Sequence, residues 1–173
     1  MRILVLNYEF PPVGGGGGKA AEDICQYLAG QGHEIRVLTA HYKTLPAFEQ
    51  RDGYQIFRVA SGRRSAFKAN LRAMGGYVLA GSVAALRMIR VWEPDVIHAH
   101  FAVPTGVVAW SIWRAEGIPY VLTVQLGDVP GGVPEKTDRW FRWFYRFTPP
   151  IWRDASQVVA VSEYTRRLAL AHY

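Results

Sequence analysis

Five consecutive glycines lie between an apolar run at 2–6 and a helical pattern that begins near Lys19. Glycine loses more backbone freedom on folding than any other residue, so a run of five is costly to order. A run of this kind in the loop between a buried strand and a helix indicates that bare backbone has a function at that place. The sequence therefore predicts a backbone-lined binding loop, with a mobile surface turn as the alternative.

Short apolar runs alternate with longer helical patterns along the chain. Strands are predicted at 2–6, 34–39, 54–59, 95–100, 119–124 and 157–161. Helices are predicted at 19–31, 65–92, 105–116, 136–148 and 162–172. Several of the strand segments consist almost entirely of valine, isoleucine and leucine, which is typical of parallel strands buried on both faces. The alternation predicts a Rossmann-like, doubly wound α/β fold with a mainly parallel sheet and helices on both faces.

The predicted helix ends carry recognisable signals. Gly32 follows the first helix, where a left-handed residue is favoured. Pro94 and Pro119 follow the second and third helices, and proline cannot continue a helix. Ser162 stands where it can cap the last helix.

Composition restricts the class of protein. The length of 173 residues suits one domain with its own core, and the net charge of +6 favours anionic partners. The single cysteine, Cys25, excludes an internal disulfide and is expected to be an inert core thiol. The start lacks a secretory pattern, and no segment reaches the roughly 20 apolar residues of a membrane span. We expect a soluble or peripheral protein, cytoplasmic or at the inner face of the plasma membrane.

The glycine run lies where ligands bind in open α/β sheets, beyond the carboxyl ends of the strands. The first amides of the following helix point to the same place, and the helix dipole favours an anion there. A P-loop is excluded, because Val13 and Ala20 stand where that pattern needs other residue types. Gly15, Gly17 and Ala20 meet the dinucleotide pattern only formally, since a long loop separates them from the strand. Nicotinamide or flavin binding is therefore not expected.

Five segments follow one another in an order and spacing that carry a family resemblance. They are "NYEFPPVGGGGG" at 7–18, "LAGQGHEIRVLT" at 28–39, "PDVIHAHF" at 94–101, "PYVLTVQLGDVPG" at 119–131 and "VVAVSEYTRRLAL" at 158–170. Together they make the whole chain similar to the amino-terminal half of retaining GT-B glycosyltransferases of family 4.

In such enzymes, two Rossmann-like domains face each other across a cleft. The resemblance implies that residues 1–173 are a single acceptor-side domain, cut from a longer protein before the carboxy-terminal domain that binds the donor. It implies transfer of a sugar from a nucleotide-sugar to a carbohydrate or lipid-linked acceptor, without a cofactor or a metal ion. The domain alone is expected to be inactive.

The resemblance also implies residue roles. The glycines would bring backbone amides to the donor diphosphate or to an acceptor phosphate; they are Gly14, Gly15, Gly16, Gly17 and Gly18. The family often has His-Gly-x-Asp after the strand at 119–124, and this chain has Gln125-Leu126-Gly127-Asp128 there. Gln125 can hydrogen-bond a sugar hydroxyl but cannot exchange a proton near neutral pH. Asp128 is a catalytic candidate as a hydroxyl acceptor, and a helix cap is its alternative.

Other polar residues are candidates at the same edge. His98 and His100 alternate on one strand and therefore share a face. No cysteine or carboxylate cluster accompanies them, so a metal site is not expected, and His100, nearer the strand end, is the third catalytic candidate. Tyr8 and Glu9, on the loop before the glycines, are expected to line the acceptor pocket.

Two basic clusters are candidates for a membrane surface. Arg139, Arg142 and Arg146 fall on one helical stripe with several aromatic residues on the other side, and Arg63, Arg64, Lys68 and Arg72 form a second group. Docking on anionic lipid would use both clusters. Ordinary solvated helices, with aromatic residues inward, are the alternative. No recognised nucleic-acid-binding module is present, so nucleic acid is not an expected partner.

Two other classes of function stay open. The chain could be a non-catalytic α/β module that binds a phosphate or a membrane, or a Rossmann oxidoreductase domain. Nucleotide-sugar binding followed by sugar transfer, measured on the full-length protein, separates the first from a transferase. Absence of NAD binding would exclude the second.

Overall fold

The computed structural model describes residues 1–67, 70–133 and 145–173. Its centre is a seven-stranded sheet with the order β3-β4-β2-β1-β5-β6-β7. The strands are β1 (Arg2–Asn7), β2 (Glu34–Ala40), β3 (Phe48–Arg51), β4 (Tyr54–Val59), β5 (Val96–His100), β6 (Tyr120–Val124) and β7 (Gln157–Ala160). Neighbouring strands pair in parallel, except that β3 runs antiparallel to β4. The predicted doubly wound α/β fold is confirmed.

Helices cover both faces of the sheet. They are α1 (Gly16–Gly30), α2 (Leu71–Trp92), α3 (Val107–Glu116), α4 (Pro149–Arg153) and α5 (Glu163–His172). α1 packs through Ala21 and Cys25 into one apolar cluster, while α2 and α3 pack into a larger cluster on the other face. Single helical turns at Ala102–Gly106, Leu126–Asp128 and Tyr145–Phe147 complete the described elements.

Most predicted helix ends are confirmed. Gly32 has φ +83° after α1, and Gly117 has φ +73° after α3, the left-handed conformation that glycine adopts without strain. α2 ends at Trp92, and Glu93 follows in the left-handed region. Ser162 caps α5, because its side chain accepts a hydrogen bond from the amide of Thr165.

Several predicted boundaries are wrong. α1 begins at Gly16 rather than at Lys19, so three of the glycines form its first turn. α2 begins at Leu71 rather than at 65, because the side chain of Asn70 caps it by accepting from the amide of Ala73 at 2.8 Å. The helix predicted at 136–148 falls largely outside the described residues. Within its described part, 145–147 is a single turn, and α4 starts only at Pro149.

The strand β3 is missing from the sequence prediction. Its segment "FEQR" is polar and only four residues long, so it lacks the apolar run that marks a buried strand. It forms a hairpin with β4 through Asp52 and Gly53, which both have positive φ. Asp-Gly between two strands is a strong hairpin signal, and it could have located β3.

Candidate ligand site at the carboxyl edge of the sheet

Three neighbouring strands end together at the centre of the sheet. β1 ends at Asn7, β5 at His100 and β6 at Val124. In the register of the sheet, Asn7 lies opposite His100, and His100 lies opposite Thr123. Because these strands are parallel, the turns that follow them share one edge, which is where the glycine run also lies.

The glycine amides at this edge are not equivalent. The N–H of Gly14 donates to the carbonyl of Ala66 at 2.8 Å, and that of Gly15 donates to Glu9 Oε2 at 3.3 Å. The N–H of Gly18 donates to the carbonyl of Gly15 at 3.1 Å.

The two remaining glycine amides, those of Gly16 and Gly17, are the first two of α1. They have no hydrogen-bond partner in the part of the chain that the structure describes. At a helix start such amides carry a partial positive charge. In this conformation, the predicted anion site is therefore reduced to Gly16 and Gly17.

Two of the glycines allow close packing that a side chain would prevent. A Cβ atom on Gly17 would lie 2.6 Å from Phe101 Cζ and 3.4 Å from Gln125 Nε2. A Cβ atom on Gly18 would lie 2.6 Å from the carbonyl oxygen of Glu9. The start of α1 therefore approaches the turns after β5 and β6 at Gly17, and the loop after β1 at Gly18, because glycine occupies these two positions.

Phe101 reaches Gly17 from a turn with unusual backbone geometry. Its φ is +76°, a conformation that residues with a side chain rarely adopt. Its N–H donates to the carbonyl of Thr123 at 2.9 Å, and Thr105 Oγ1 donates to the Phe101 carbonyl at 2.7 Å. These bonds hold the strained residue in place. Nothing in the sequence pattern singles out Phe101 as a site residue.

Glu9 connects the glycine run to a buried arginine. Its carboxylate accepts from Gly15 through Oε2 and pairs through Oε1 with Arg63 Nη2 at 3.4 Å. Arg63 also donates to the carbonyls of Tyr8 and Ala66, at 3.3 and 2.9 Å. The carboxylate of Glu9 thus takes a place beside the glycine amides that a ligand anion could take. The role of Glu9 in the pocket for the sugar acceptor stays a prediction, and its contacts with Gly15 and Arg63 are now defined.

The structure contradicts two of the predicted roles in this region. Arg63 cannot belong to a membrane surface, because its side chain is fully buried and bound to backbone carbonyls. Tyr8 does not line an open pocket: it is 2% exposed, with the ring of Tyr77 at 5.4 Å and the guanidinium of Arg63 at 4.5 Å from its own ring. Burial raises the pKa of Tyr8, so its phenol stays neutral.

Asp128 acts as a backbone clamp. Its Oδ1 accepts from the N–H of Ala102 at 2.9 Å, and its Oδ2 accepts from the N–H of Gln125 at 2.8 Å. The residue is buried, so a ligand hydroxyl does not reach it in this conformation. The carboxylate caps the amide of Gln125 at the start of the turn Leu126–Asp128, whereas the helix predicted to follow Asp128 lies largely outside the described residues. Burial raises the pKa of Asp128 to about 7, although the backbone donors oppose that shift.

Gln125 is better placed for a ligand. The residue is half-buried and directly precedes the turn Leu126–Asp128, and its Nε2 atom is buried without a hydrogen-bond partner among the described residues. That nitrogen lies beside Gly17. An amide N–H donor next to two free backbone amides can bind a phosphate oxygen or a sugar hydroxyl.

The two histidines, His98 and His100, lie on β5, which ends at this edge of the sheet. His98 Nε2 is 2.7 Å from Thr123 Oγ1, and the two imidazole rings of His98 and His100 are 4.3 Å apart. Burial lowers the pKa of His98 to about 4 and, together with the neighbouring His98, that of His100 to about 3. His100 ends its strand as predicted, but it is fully buried. It is therefore not a cleft residue in this conformation.

The remaining predicted basic residues divide into two groups. Arg64 and Arg146 are exposed. Lys68, Arg139 and Arg142 lie outside the described residues.

No group of three or more His, Cys, Asp or Glu side chains suited to a metal ion occurs in the ranges 1–67, 70–133 and 145–173.

The model of the protein family called Glycosyltransferase Family 4 matches residues 14–173. The chain belongs to glycosyltransferase family 4. The match begins at the first glycine of the run and takes in the turns that carry Phe101, Gln125 and Asp128.

Curated relatives of this family 4 chain share about a third of their residues with it over the matched region. A teichuronic acid biosynthesis glycosyltransferase of Bacillus subtilis, TuaC, is 31% identical over 135 residues. A glycogen synthase of Mycobacterium tuberculosis is 29% identical over 144 residues. The matches cover 74% and 75% of this chain but 32% of each relative. The chain thus corresponds to about a third of the length of the curated relatives it matches.

Solved structures show the same fold. A sucrose-phosphate synthase from Thermosynechococcus elongatus superposes with a TM-score of 0.73 at 17% identity, covering 96% of this chain and 45% of that one. MurG of Acinetobacter baumannii gives 0.55 at 15% identity, covering 95% and 42%. A UDP-N-acetylglucosamine 2-epimerase gives 0.60 at 12% identity. At these identities the likeness concerns the fold, which is one half of a GT-B structure.

Proposed function

We propose that this chain is the acceptor-side half of a retaining glycosyltransferase that moves a sugar from a nucleotide-sugar to a glycan or a lipid-linked acceptor. Membership of family 4 supports glycosyl transfer in general. The observation that carries the finer proposal is the proximity of three donors without a partner among the described residues, the amides of Gly16 and Gly17 and the buried Gln125 Nε2, at the sheet edge.

These donors suit the charge that develops during sugar transfer. When the bond from the sugar to the diphosphate breaks, negative charge grows on the diphosphate oxygen. Positioned amides and a helix start stabilise the transition state, in which this charge grows, more than the ground state. That difference is the requirement for catalysis. Gln125 contributes a hydrogen bond and no proton, because an amide does not titrate.

The proposal assigns the other wall of the site to the rest of the protein. Gly15 and Gly16 are exposed, so the site is open on the side away from the sheet. A carboxy-terminal domain that holds the nucleotide would close it, and no metal ion or cofactor is needed for this scheme. Residues 1–173 alone should then show negligible turnover.

A charge reversal at Gln125 tests the proposal. In Gln125→Glu, a carboxylate of nearly the same shape faces the anion site, and we expect the full-length enzyme to lose at least about tenfold in kcat/KM for its nucleotide-sugar. The matched control is Gln26→Glu on the exposed side of α1. Sugar transfer is followed by mass spectrometry of the acceptor. Equal activity of the two variants would show that the anion site takes no part in sugar transfer.

A further inference from the structure

Phe101 keeps a backbone conformation that is costly for a residue with a side chain. Its φ is +76° and its ψ is 133°, a combination that glycine adopts far more readily. The Phe101 carbonyl accepts both from Thr105 Oγ1 at 2.7 Å and from the N–H of Gly106 at 3.0 Å. Its own N–H donates to the carbonyl of Thr123 at 2.9 Å. Strain of this kind persists only where the surroundings enforce it, and it is concentrated at functional sites.

Core packing does not account for a phenylalanine at this position. Among the residues that the structure describes, the Phe101 ring belongs to neither apolar cluster of the fold. In the same ranges it has no aromatic or cationic group as a ring partner. The residue is half-buried, so part of the ring surface stays accessible. The ring is therefore available to a ligand at the edge of the sheet.

The tip of this ring and the amide of Gln125 meet the same point of α1. A Cβ atom on Gly17 would lie 2.6 Å from Phe101 Cζ and 3.4 Å from Gln125 Nε2. The face of an aromatic ring is electron-rich and apolar, so it packs on the C–H face of a sugar ring. An amide N–H binds a sugar hydroxyl. The two side chains thus match the two kinds of surface that a pyranose presents.

The position beside Gly17 indicates which part of a nucleotide-sugar reaches Phe101. In the proposed function, the amides of Gly16 and Gly17 bind the diphosphate. The sugar that is transferred is bonded directly to that diphosphate, whereas the nucleobase lies at the far end of the molecule, beyond the ribose. A ring that touches Gly17 is therefore nearer to the transferred sugar than to the nucleobase.

We propose that Phe101 binds the sugar that is transferred, with its ring on the apolar face of the pyranose while Gln125 Nε2 donates to a hydroxyl. This inference rests on the proposed function, which assigns the diphosphate to Gly16 and Gly17. Gln125 Nε2 carries two N–H groups, so it can serve the diphosphate and a sugar hydroxyl together. The strained backbone at Phe101 is kept because it directs the ring to the sugar.

Binding of a nucleotide-sugar and of its bare nucleotide to the full-length protein separates a sugar contact from a packing role. Calorimetry identifies which of UDP-glucose, UDP-N-acetylglucosamine and GDP-mannose binds. We expect Phe101→Leu to bind that nucleotide-sugar roughly fivefold more weakly and to keep native affinity for its nucleoside diphosphate. The matched control is Phe48→Leu, 50% exposed on the edge strand β3, which should bind both ligands as the native protein does.

Two results would overturn the inference. Equal losses of affinity for the nucleotide-sugar and the bare nucleotide would show that Phe101 supports the start of α1 or contacts the nucleobase. Native affinity for both would show that the ring touches no ligand. Either result leaves the proposed function standing, whereas failure of all three nucleotide-sugars to bind the native protein would contradict that function and this inference with it.

Phe101→Gly is a second variant that the backbone accepts. Glycine adopts a φ of +76° without strain, so this variant should fold, which thermal unfolding followed by circular dichroism checks. It should lose affinity for the nucleotide-sugar at least as strongly as Phe101→Leu and keep native affinity for the bare nucleotide. A folded Phe101→Gly with native affinity for the nucleotide-sugar would overturn the inference.

Discussion

The Oδ1 atom of Asp128 accepts a hydrogen bond of 2.9 Å from the backbone N–H of Ala102. Its Oδ2 atom accepts another, of 2.8 Å, from the N–H of Gln125. One buried carboxylate therefore joins the turn after β5 to the turn after β6. Phe101 and Gln125 approach Gly17 from these two turns. The geometry of the candidate site thus depends on a residue that is not itself open to a ligand.

Loss of the Asp128 carboxylate should destabilise the domain. In Asp128→Ala, buried N–H groups lose their acceptor, and we expect the free energy of unfolding of the 173-residue chain to fall by on the order of 3 kcal/mol. Urea unfolding measures this change. The control is Asp23→Asn, which removes an exposed ion pair with Lys19 and should cost less than about 1 kcal/mol. A loss as small in Asp128→Ala as in the control would show that the clamp is not structural.

His98, which is half-buried, and His100, which is fully buried, should make the domain sensitive to acid. Their pKa values are about 4 and about 3 in the fold, against about 6.5 in an unfolded chain. The unfolded state therefore binds more protons, so the stability that their neutral forms provide is lost as the pH falls below about 6.5. Asp128, with its raised pKa, acts in the opposite direction between about 7 and 4.

Comparing variants isolates the histidine contribution, because Asp128 is common to all of them. The pH dependence of the unfolding free energy below pH 6.5 should be shallower in His98→Gln than in the native chain. His172→Gln, at an exposed position, is the matched control. A native slope retained in His98→Gln would show that its imidazole is charged in the fold.

Removing the charge of Glu9 should strengthen anion binding. Glu9 Oε2 accepts a hydrogen bond of 3.3 Å from the N–H of Gly15. The Glu9 carboxylate therefore repels a phosphate at the neighbouring amides and competes with it. We expect Glu9→Gln to bind UDP several-fold more tightly in calorimetry with the full-length protein, while Glu116→Gln, an exposed control, changes nothing. Weaker binding in Glu9→Gln would instead assign Glu9 to a ligand hydroxyl.

A methyl group on Gly17 should disturb binding more than folding. The new Cβ would press on the ends of two side chains, Phe101 and Gln125, which can move, while alanine is the better helix former. We expect Gly17→Ala to keep its unfolding free energy within about 1 kcal/mol and to lose about tenfold in UDP affinity. Gly30→Ala, with open space at the other end of α1, should keep native affinity. Equal affinities would place the ligand away from Gly17.

The strands that carry the site could be predicted because their apolar composition reflects their burial. β1 lies at the centre of the sheet, and its unbroken apolar run matches burial on both faces. β3 lies at the edge with alternating exposure, so its composition resembles that of a loop. The Asp52-Gly53 pair was its only local signal.

The side-chain roles could be predicted less well, because they depend on tertiary contacts. Arg63 looks like a surface residue in a basic run, and only the approach of Tyr8 and Glu9 shows that it is buried. The Asp128 carboxylate meets Ala102, which is distant in sequence, so its clamp could not be read from the local pattern. The edge itself was predictable, since it follows from the glycine run and the parallel strands.

The central claim is that the amides at the start of α1 bind negatively charged oxygen. An NMR titration of the full-length protein, labelled with 15N-glycine, tests it most directly with UDP as the probe. The account predicts that the N–H signals of Gly16 and Gly17 move downfield and saturate with the binding isotherm, while that of Gly30 stays in place. Saturated UDP binding with the Gly16 and Gly17 signals unmoved would contradict it.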